Sequence, residues 1–99
     1  MKKIYICSPL RGDYEKNIGM ALRYCREVAL QGDIPIAPHI YFTQFLDDAK
    51  PDERNIGLKF GLELVKLCDK VCVYGEPSEG MKAEIKLAEQ LGIEVVYKC

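Results

Sequence analysis

Four short apolar runs alternate along the chain with longer segments of helical period. The four runs are Ile4 to Cys7, Ile34 to Ala37, Val71 to Tyr74 and Glu94 to Tyr97. Strands that alternate with helices in this way are typical of a parallel sheet joined by right-handed crossovers. The first three runs are apolar on both faces, as expected when helices cover both sides of the sheet. We therefore predict a flavodoxin- or Rossmann-like three-layer α/β domain whose four parallel strands follow the flavodoxin-like order.

The first helical segment is predicted to cover Asn17 to Gln31 and to stop at Gly32. The stripe expected to face the sheet consists of Ile18, Leu22, Cys25, Val28 and Ala29. Between Pro38 and Pro51 the pattern is weaker, and we predict a loop or lid that contains a short helix. Its charges from Asp47 to Arg54 most simply form a solvated turn and helix cap, although Asp48 or Arg54 folding over the cleft is an alternative.

The third helical segment, Asp52 to Leu67, carries two apolar stripes. One stripe consists of Ile56, Phe60, Leu64 and Leu67, and the other of Leu58, Leu62 and Val65. One stripe can face the sheet, whereas the second needs another cover. Gly57 and Gly61 lie one turn apart, where small side chains permit close approach of a neighbouring helix. A deeply buried helix in a monomer is one interpretation, and we predict instead a homo-oligomer contact.

The last helical segment places one carboxylate on its apolar face. Its stripe runs through Met81, Ile85, Ala88 and Leu91. Glu84 is three residues after the start of this stripe and therefore points inward near the helix start. Partial burial at the carboxyl edge of the sheet would desolvate it, while the helix N-terminus would help to keep it ionised. Glu84 is thus a candidate nucleophile or base, and a buried structural hydrogen-bonding role is the alternative.

Polar and glycine residues follow the other predicted strands at the same edge of the sheet, where parallel sheets bind ligands. Ser8, Arg11 and Gly12 offer a hydroxyl, a guanidinium and a flexible backbone for a phosphate or ribose, and a surface turn is the alternative. His39, the one histidine, lies just beyond the second strand. It is either a proton-transfer group or a structural residue.

Composition narrows the classes of function. A length of 99 residues suits one continuous domain over residues 1–99, and 48% hydrophobic with 29% charged residues indicates a folded protein. The net charge is -1 and the basic residues are scattered, which disfavours binding to a nucleic acid polymer. No apolar stretch approaches the ~20 residues of a membrane span, and no secretory signal is present. We predict a cytoplasmic protein without a membrane contact.

Cysteine usage favours reduced thiols over a metal site. The five cysteines are Cys7, Cys25, Cys68, Cys72 and Cys99, and they lie mostly within apolar runs. Cys68 and Cys72 are four residues apart, but no second cluster completes a zinc ligand set. We therefore predict no metal.

Several of these elements together resemble one known family. They are Tyr5 within Ile4-Tyr5-Ile6, the Arg11-Gly12 turn, Cys68-Asp69 before the third strand, and Ser78-Glu79-Gly80-Met81 followed by Glu84. They are similar to the corresponding elements of the nucleoside 2-deoxyribosyltransferase superfamily. The resemblance spans most of the chain and is strongest to short bacterial and phage members that share Ala37-Pro38-His39 and Pro51 to Arg54.

The resemblance implies an enzyme that hydrolyses or exchanges the N-glycosidic bond of a small-molecule nucleoside or nucleotide. The glutamate matching Glu84 attacks the anomeric carbon, and the tyrosine matching Tyr5 orients it. No metal or redox cofactor is implied. The implied substrate-binding residues are Ser8, Arg11, Gly12, Asp69, Ser78, Gly80 and Met81. From the residues alone, Asp69 is as well explained as a helix cap or turn residue.

Three departures from the family pattern leave a second hypothesis open. Gly61 stands where the family has a helix aspartate that handles the departing base or the sugar, and His39 is the candidate replacement. Ser8-Pro9 replaces a Gly-Ser pair of the nucleotide hydrolases. The sequence ends at Cys99, where longer members continue into a segment that completes the neighbouring subunit's site, so a more open site is expected. The second hypothesis is a catalytically silent nucleotide-binding module.

Overall fold

The structure, a computed structural model, describes residues 1–98. Its elements are β1 (Lys3–Cys7), α1 (Tyr14–Leu30), β2 (Ile34–Ile36), α2 (Pro38–Phe42), α3 (Pro51–Val65), β3 (Lys70–Tyr74), α4 (Glu79–Gln90) and β4 (Glu94–Lys98). The four strands form one parallel sheet in the order β2-β1-β3-β4. This confirms the predicted α/β class, the Rossmann-like parallel sheet and the flavodoxin-like strand order.

Helices cover both faces of the two central strands. Tyr5 and Cys7 of β1 point towards α3 and α4, whereas Ile4 and Ile6 point towards α1, because successive side chains of a strand alternate between faces. All four side chains are at most 4% exposed. The sheet therefore has two cores, and the core below α3 and α4 contains the tyrosine singled out by the sequence.

Helix α1 starts three residues earlier than predicted because Asp13 caps it, its side chain accepting a hydrogen bond from the Lys16 backbone N–H at 3.2 Å. The predicted stop is confirmed, since the helix ends at Leu30 and Gly32 follows with φ of +92°. Gly32 thus adopts the left-handed conformation that glycine tolerates best.

The predicted buried stripe of α1 is wrong in part. Leu22 and Ala29 are exposed, and the face against the sheet passes through Ala21 and Val28 instead. Tyr24 lies on this inner face and stacks on Tyr74 of β3 with ring centroids 3.8 Å apart. This aromatic pair is consistent with a helix turned about its axis relative to the predicted orientation.

Helix α3 also differs from the prediction. Its buried residues are Gly61 and Val65, so the face that packs against the sheet and α4 combines a glycine with only one residue of the second predicted stripe, Val65. Ile56 and Phe60 are each 41% exposed, and Leu67 lies beyond the helix and is more exposed still. The outer surface of α3 therefore leaves apolar side chains partly in contact with water, although Phe60 also packs against Phe42 of α2.

The remaining elements follow the prediction more closely. Met81, Ile85 and Ala88 form the buried face of α4 as expected, but Leu91 lies after the helix end and is exposed. Ile34 is also exposed, because β2 is an edge strand rather than a strand buried on both faces. The segment between β2 and α3 contains the five-residue helix α2, as predicted.

Among the described residues, no helix is both long and apolar enough to cross a membrane. Cys7, Cys25, Cys68 and Cys72 are free thiols, and the fifth cysteine of the prediction, Cys99, lies outside the described residues.

Candidate active site

A cavity of about 150 Å³ opens where the carboxyl ends of the strands meet α2, α3 and α4. The sheet edge brings together eight of the residues singled out from the sequence, which are Tyr5, Ser8, Arg11, His39, Ser78, Gly80, Met81 and Glu84. Tyr5 lies within β1, and the other seven come from three separate segments that follow β1, β2 and β3. They meet because parallel strands all end at the same edge of a sheet.

Glu84 lies in the wall of this cavity with both carboxylate oxygens engaged. The Tyr5 hydroxyl donates a hydrogen bond to Oε2. The Cys7 thiol lies 3.5 Å from Oε1 in donor geometry. Because Tyr5 and Cys7 are two residues apart on β1, their side chains share one face of the sheet and meet Glu84 side by side.

Burial and hydrogen bonding shift the pKa of the Glu84 carboxyl in opposite directions. Burial raises the pKa of the Glu84 carboxyl, and the hydrogen bonds from Tyr5 and Cys7 lower it. Burial and the neighbouring Glu84 charge raise the pKa of Tyr5 well above its usual range, so the phenol stays protonated and can donate. The site thus holds a partly desolvated carboxylate beside a neutral donor.

The expected help from the helix N-terminus is not what holds Glu84. Ser78 caps α4, its side chain accepting a hydrogen bond from the Met81 backbone N–H at 3.4 Å. Glu84 is the sixth residue of the helix, whereas the field of a helix terminus falls off within the first turn. The donors that favour its ionised form therefore come from the strand β1.

Gly61 of α3 lies directly against the Glu84–Tyr5 pair. A Cβ atom at this position would stand 2.8 Å from Glu84 Oε2 and 3.0 Å from the Tyr5 hydroxyl oxygen. Both distances are too short for ordinary contact, so the position accepts no side chain unless Glu84 or Tyr5 moves. The absence of a side chain at Gly61 is therefore what lets α3 approach the carboxylate this closely.

His39 faces the cavity from the start of α2. A hydrogen bond of 2.9 Å joins its Nε2 to Ser8 Oγ, and the Thr43 hydroxyl donates to its backbone carbonyl at 2.6 Å. Burial lowers the pKa of His39 to about 4, so the imidazole is neutral at pH 7. Because burial disfavours the protonated ring, His39 is a weak base, and almost no imidazolium is present to act as an acid.

Charged residues form one side of the cavity mouth. Arg11 Nε lies 3.1 Å from Asp48 Oδ2, and Arg54 Nε lies 3.8 Å from Asp48 Oδ1. The loop after β1 is held in turn by Asn17, whose side-chain amide donates to the Leu10 and Arg11 carbonyls. Asp48 and Arg54 therefore lie at the cleft, which is the alternative that the sequence left open.

Two residues of the predicted site lie elsewhere. Asp69 is exposed at the amino-terminal edge of the sheet, where its Oδ2 accepts a hydrogen bond from the Lys3 backbone N–H at 2.8 Å. Gly12 turns the β1–α1 loop with φ of +99° and borders a more open depression that adjoins the cavity and shares Arg11 and Asp48 with it. The structure thus gives Asp69 the turn-fixing role and does not bring either residue to the cavity.

Cys7 is a neighbour of Glu84 that the sequence analysis does not include among the site residues, because a thiol within an apolar strand looks like an ordinary core residue. The period of two between Tyr5 and Cys7 is the signal that would have shown it.

Comparisons with known proteins agree with this fold. Residues 2–98 match a family described as "Domain of unknown function (DUF7768)". No curated protein matches the chain. Among solved structures, it is similar to a 2-desoxiribosyltransferase from Leishmania mexicana, with a TM-score of 0.71 and 18% identity over 98% of this chain and 63% of that one.

A second similar structure is a 2-deoxyribosyltransferase from the psychrotolerant bacterium Bacillus psychrosaccharolyticus. It gives a TM-score of 0.66 and 21% identity over 96% of this chain and 70% of that one. At such identities the likeness concerns the fold, and the chain spans less than two thirds of the Leishmania protein. The chain has the fold of the nucleoside 2-deoxyribosyltransferases.

Proposed function

The chain belongs to the DUF7768 family, and we propose that it hydrolyses or exchanges the N-glycosidic bond of a nucleoside or nucleotide, with Glu84 as the nucleophile. One observation carries the proposal, namely a partly desolvated glutamate in a cavity with both oxygens held by donors. Buried carboxylates held in this way are typical of groups that perform chemistry. The names of the two similar structures add support from fold-level analogy.

The first chemical step would be a displacement at the anomeric carbon. A Glu84 oxygen forms the new C–O bond while the C–N bond breaks, and the bonding electron pair leaves with the base. The transition state has oxocarbenium character, and the product is a glycosyl ester of Glu84. Tyr5 keeps the carboxylate in one orientation during the attack, which is the role that the hydrogen bond to Oε2 supports.

The second step would release the sugar from the ester. Water attacks the anomeric carbon in hydrolysis, and a second base does so in exchange, each with retention of configuration. His39 is neutral, bonded to Ser8 and a weak base, so we assign it a hydrogen bond that orients the attacking water, whose proton is lost to solvent as the ester C–O bond breaks and Glu84 is released. This orienting role differs from the proton transfer that the sequence suggested for His39.

The remaining cavity residues would bind the substrate. Ser8, Arg11, Ser78, Gly80 and Met81 line the cavity and are proposed to contact its sugar and any phosphate. Asp69 and Gly12 leave this set because neither lies at the cavity.

A catalytically silent nucleotide-binding module is the second candidate function. The observation that favours it is Gly61, since α3 presents no carboxylate to the cavity next to Glu84 and Tyr5. Such a module would keep the cavity and bind the same molecules without breaking the glycosidic bond.

Incubation with a panel of deoxynucleosides, ribonucleosides and their 5′-monophosphates tests the proposal, with free base as the readout. We expect base release from the wild type and none from Glu84→Gln, because an amide cannot form the glycosyl ester. Glu79→Gln is the matched control, since Glu79 lies on the same helix with its side chain 90% exposed. Equal release by Glu84→Gln would end the assignment, and calorimetric binding without release would favour the silent module.

The exposed outer surface of α3 supports the further proposal of a homo-oligomer. Ile56 and Phe60 lie on it, and Phe60 contacts Phe42 of α2 with ring centroids 4.9 Å apart. Two copies that packed through this surface would bury apolar area that a single chain leaves in water. Light scattering at micromolar concentration should give a multiple of the 11.2 kDa chain mass, and a strictly monomeric mass would contradict the proposal.

A further inference from the structure

Cys7 is buried behind Glu84, and the proposed reaction does not use it. Its side chain is 1% exposed, and its Sγ lies 3.5 Å from Glu84 Oε1 and 3.9 Å from the Met81 carbonyl oxygen. A thiol has one proton, so these two acceptors compete for it.

The geometry and the charges favour Glu84 as the acceptor. Its Oε1 is the nearer of the two oxygens, and a hydrogen bond gains strength when the acceptor is ionised. Burial, together with the adjacent carboxylate, raises the pKa of Cys7 far above its usual range. The thiol therefore keeps its proton and remains a donor wherever the protein is folded.

We propose that Cys7 is a positioning residue for Glu84, its S–H holding Oε1 while the Tyr5 hydroxyl holds Oε2. The terminal torsion of a glutamate is broad, so one hydrogen bond leaves the carboxylate plane free to rotate. Two donors from one strand fix that plane and favour the ionised form. The catalytic importance of this arrangement rests on the proposed function, but the hydrogen bond itself does not.

The groups around Glu84 allow the contribution of Cys7 to be isolated. From β1, Tyr5 and Cys7 face the carboxylate, and from α3 Gly61 presents only backbone. The other titratable or charged groups that line the cavity are Arg11, His39, Asp48, Glu53 and Arg54. His39 is neutral and bonded to Ser8, and Asp48 pairs with the two arginines. A substitution at Cys7 leaves all of these unchanged.

The test is a carbon-13 NMR titration of the Glu84 carboxyl in protein labelled at the glutamate side chain, with the signal assigned by its loss in Glu84→Gln. In Cys7→Ala the midpoint should move upward, because a bond to the ionised form is removed. In Cys7→Ser it should stay at or below the wild-type midpoint, since a hydroxyl is a stronger donor than a thiol.

Cys72→Ala is the matched control. Cys72 is also buried, but it lies on β3 and faces α1 on the opposite side of the sheet. Its removal should leave the Glu84 midpoint unchanged. An unchanged midpoint in Cys7→Ala, or an equal shift in Cys72→Ala, would overturn the proposal.

An infrared measurement keeps the proposal testable if Cys7→Ala does not fold. The Cys7 S–H stretching band should move to higher frequency in Glu84→Gln, because a neutral amide oxygen is a weaker acceptor than a carboxylate. A band that does not move would refute the hydrogen bond.

The pH dependence of base release separates this inference from the proposed function. If the wild type releases base, the acid limb of its profile should shift in Cys7→Ala in the same direction as the NMR midpoint, and Cys7→Ser should restore it. A wild type that releases no base but shows the NMR shift would refute the reaction and retain the positioning role.

Discussion

The two edges of the sheet each carry a carboxylate next to β1, and the two groups behave in opposite ways. At the amino edge, Asp69 is exposed and accepts a hydrogen bond from the Lys3 backbone N–H, which lowers the pKa of its carboxyl. At the carboxyl edge, Glu84 is largely enclosed, and burial raises the pKa of its carboxyl against the effect of two side-chain donors.

The difference shows that the environment of a carboxylate depends on the end of the parallel strands at which it lies. At the amino edge the strand ends offer free N–H groups in contact with water, so a carboxylate there stabilises the start of a strand. At the carboxyl edge, loops and helix starts close over the group, and side chains must replace the water that it loses. Substitutions at either end of the strands therefore test this difference.

Gly61→Ala should have the largest effect, because it acts directly on the enclosed carboxylate. The new Cβ would stand 2.8 Å from Glu84 Oε2, so the carboxylate must swing away from Tyr5. A displacement of about 1 Å at a reacting group can cost on the order of a hundredfold in rate. We expect base release to fall by that factor while the circular dichroism spectrum is unchanged.

Gly57→Ala is the control for Gly61→Ala, since it lies one turn earlier on α3. Its Cβ would stand 3.9 Å from Leu46 Cδ1, an ordinary contact. Gly57→Ala should stabilise the protein by roughly 0.5–1 kcal/mol, and base release should fall much less than in Gly61→Ala, because Gly57 borders the cavity without touching Glu84. Equal loss of activity in both variants would mean that α3 as a whole is sensitive, and the specific contact with Glu84 would not be supported.

Tyr5→Phe should have the next largest effect, because it removes the donor at Oε2 and leaves the carboxylate enclosed. A hydrogen bond to a charged group contributes about 1.5–3 kcal/mol, so urea denaturation at pH 7 should show a loss of that order. The pKa of Glu84 should rise and move the acid limb of the base-release profile to higher pH. An unshifted limb would mean that Tyr5 is a packing residue only.

The fold was predictable because its signals are local and strong. The runs around β1 and β3 are apolar at every position, and Gly32 marks the end of α1, so the element order and the sheet type follow from pattern alone. The rotation of α1 was not predictable, since it depends on Tyr24 stacking on Tyr74 of a strand 50 residues away. The sequence of α3 likewise does not show which of its apolar residues are buried by neighbouring elements.

The site was predictable in part for a related reason. Glu84 was found because its helical face and its place after a strand are readable from spacing, and the family resemblance pointed to the same residue. The family resemblance groups Asp69 with Glu84, although a residue directly before a parallel strand lies at the amino edge of the sheet, opposite the edge that binds ligands. Gly61 was noted as a missing aspartate, whereas its steric role needs coordinates.

His39 allows the effect of burial to be measured on a group whose charged form is a cation. Burial lowers its pKa to about 4, so between pH 6.5 and 4 the unfolded chain binds a proton that the folded protein does not. The free energy of unfolding should therefore decrease as the pH is lowered, and His39 should account for a decrease of about 2 kcal/mol by pH 5. His39→Asn should lack this component, and urea titrations of both proteins at pH 7 and 5 give the difference. Parallel losses in the two proteins would contradict it.

Asp69→Ala should have the smallest effect, and it tests the comparison from the amino edge. The pKa of Asp69 is lowered in the folded protein, so its contribution to stability is present above pH 4 and is lost as the pH falls through the folded value. We expect a small fall in Tm at pH 7 that disappears once the pH is below the lowered pKa of the folded protein, where both states are protonated. Asp33→Ala is the matched variant, because its Oδ1 accepts from the Lys2 backbone N–H at 3.0 Å on the same edge. Base release should be unchanged in both, since neither group reaches the cavity. A tenfold loss of base release in Asp69→Ala alone, with the fold intact, would mean that Asp69 contributes to the active site. The proposed difference between the two edges would then be wrong.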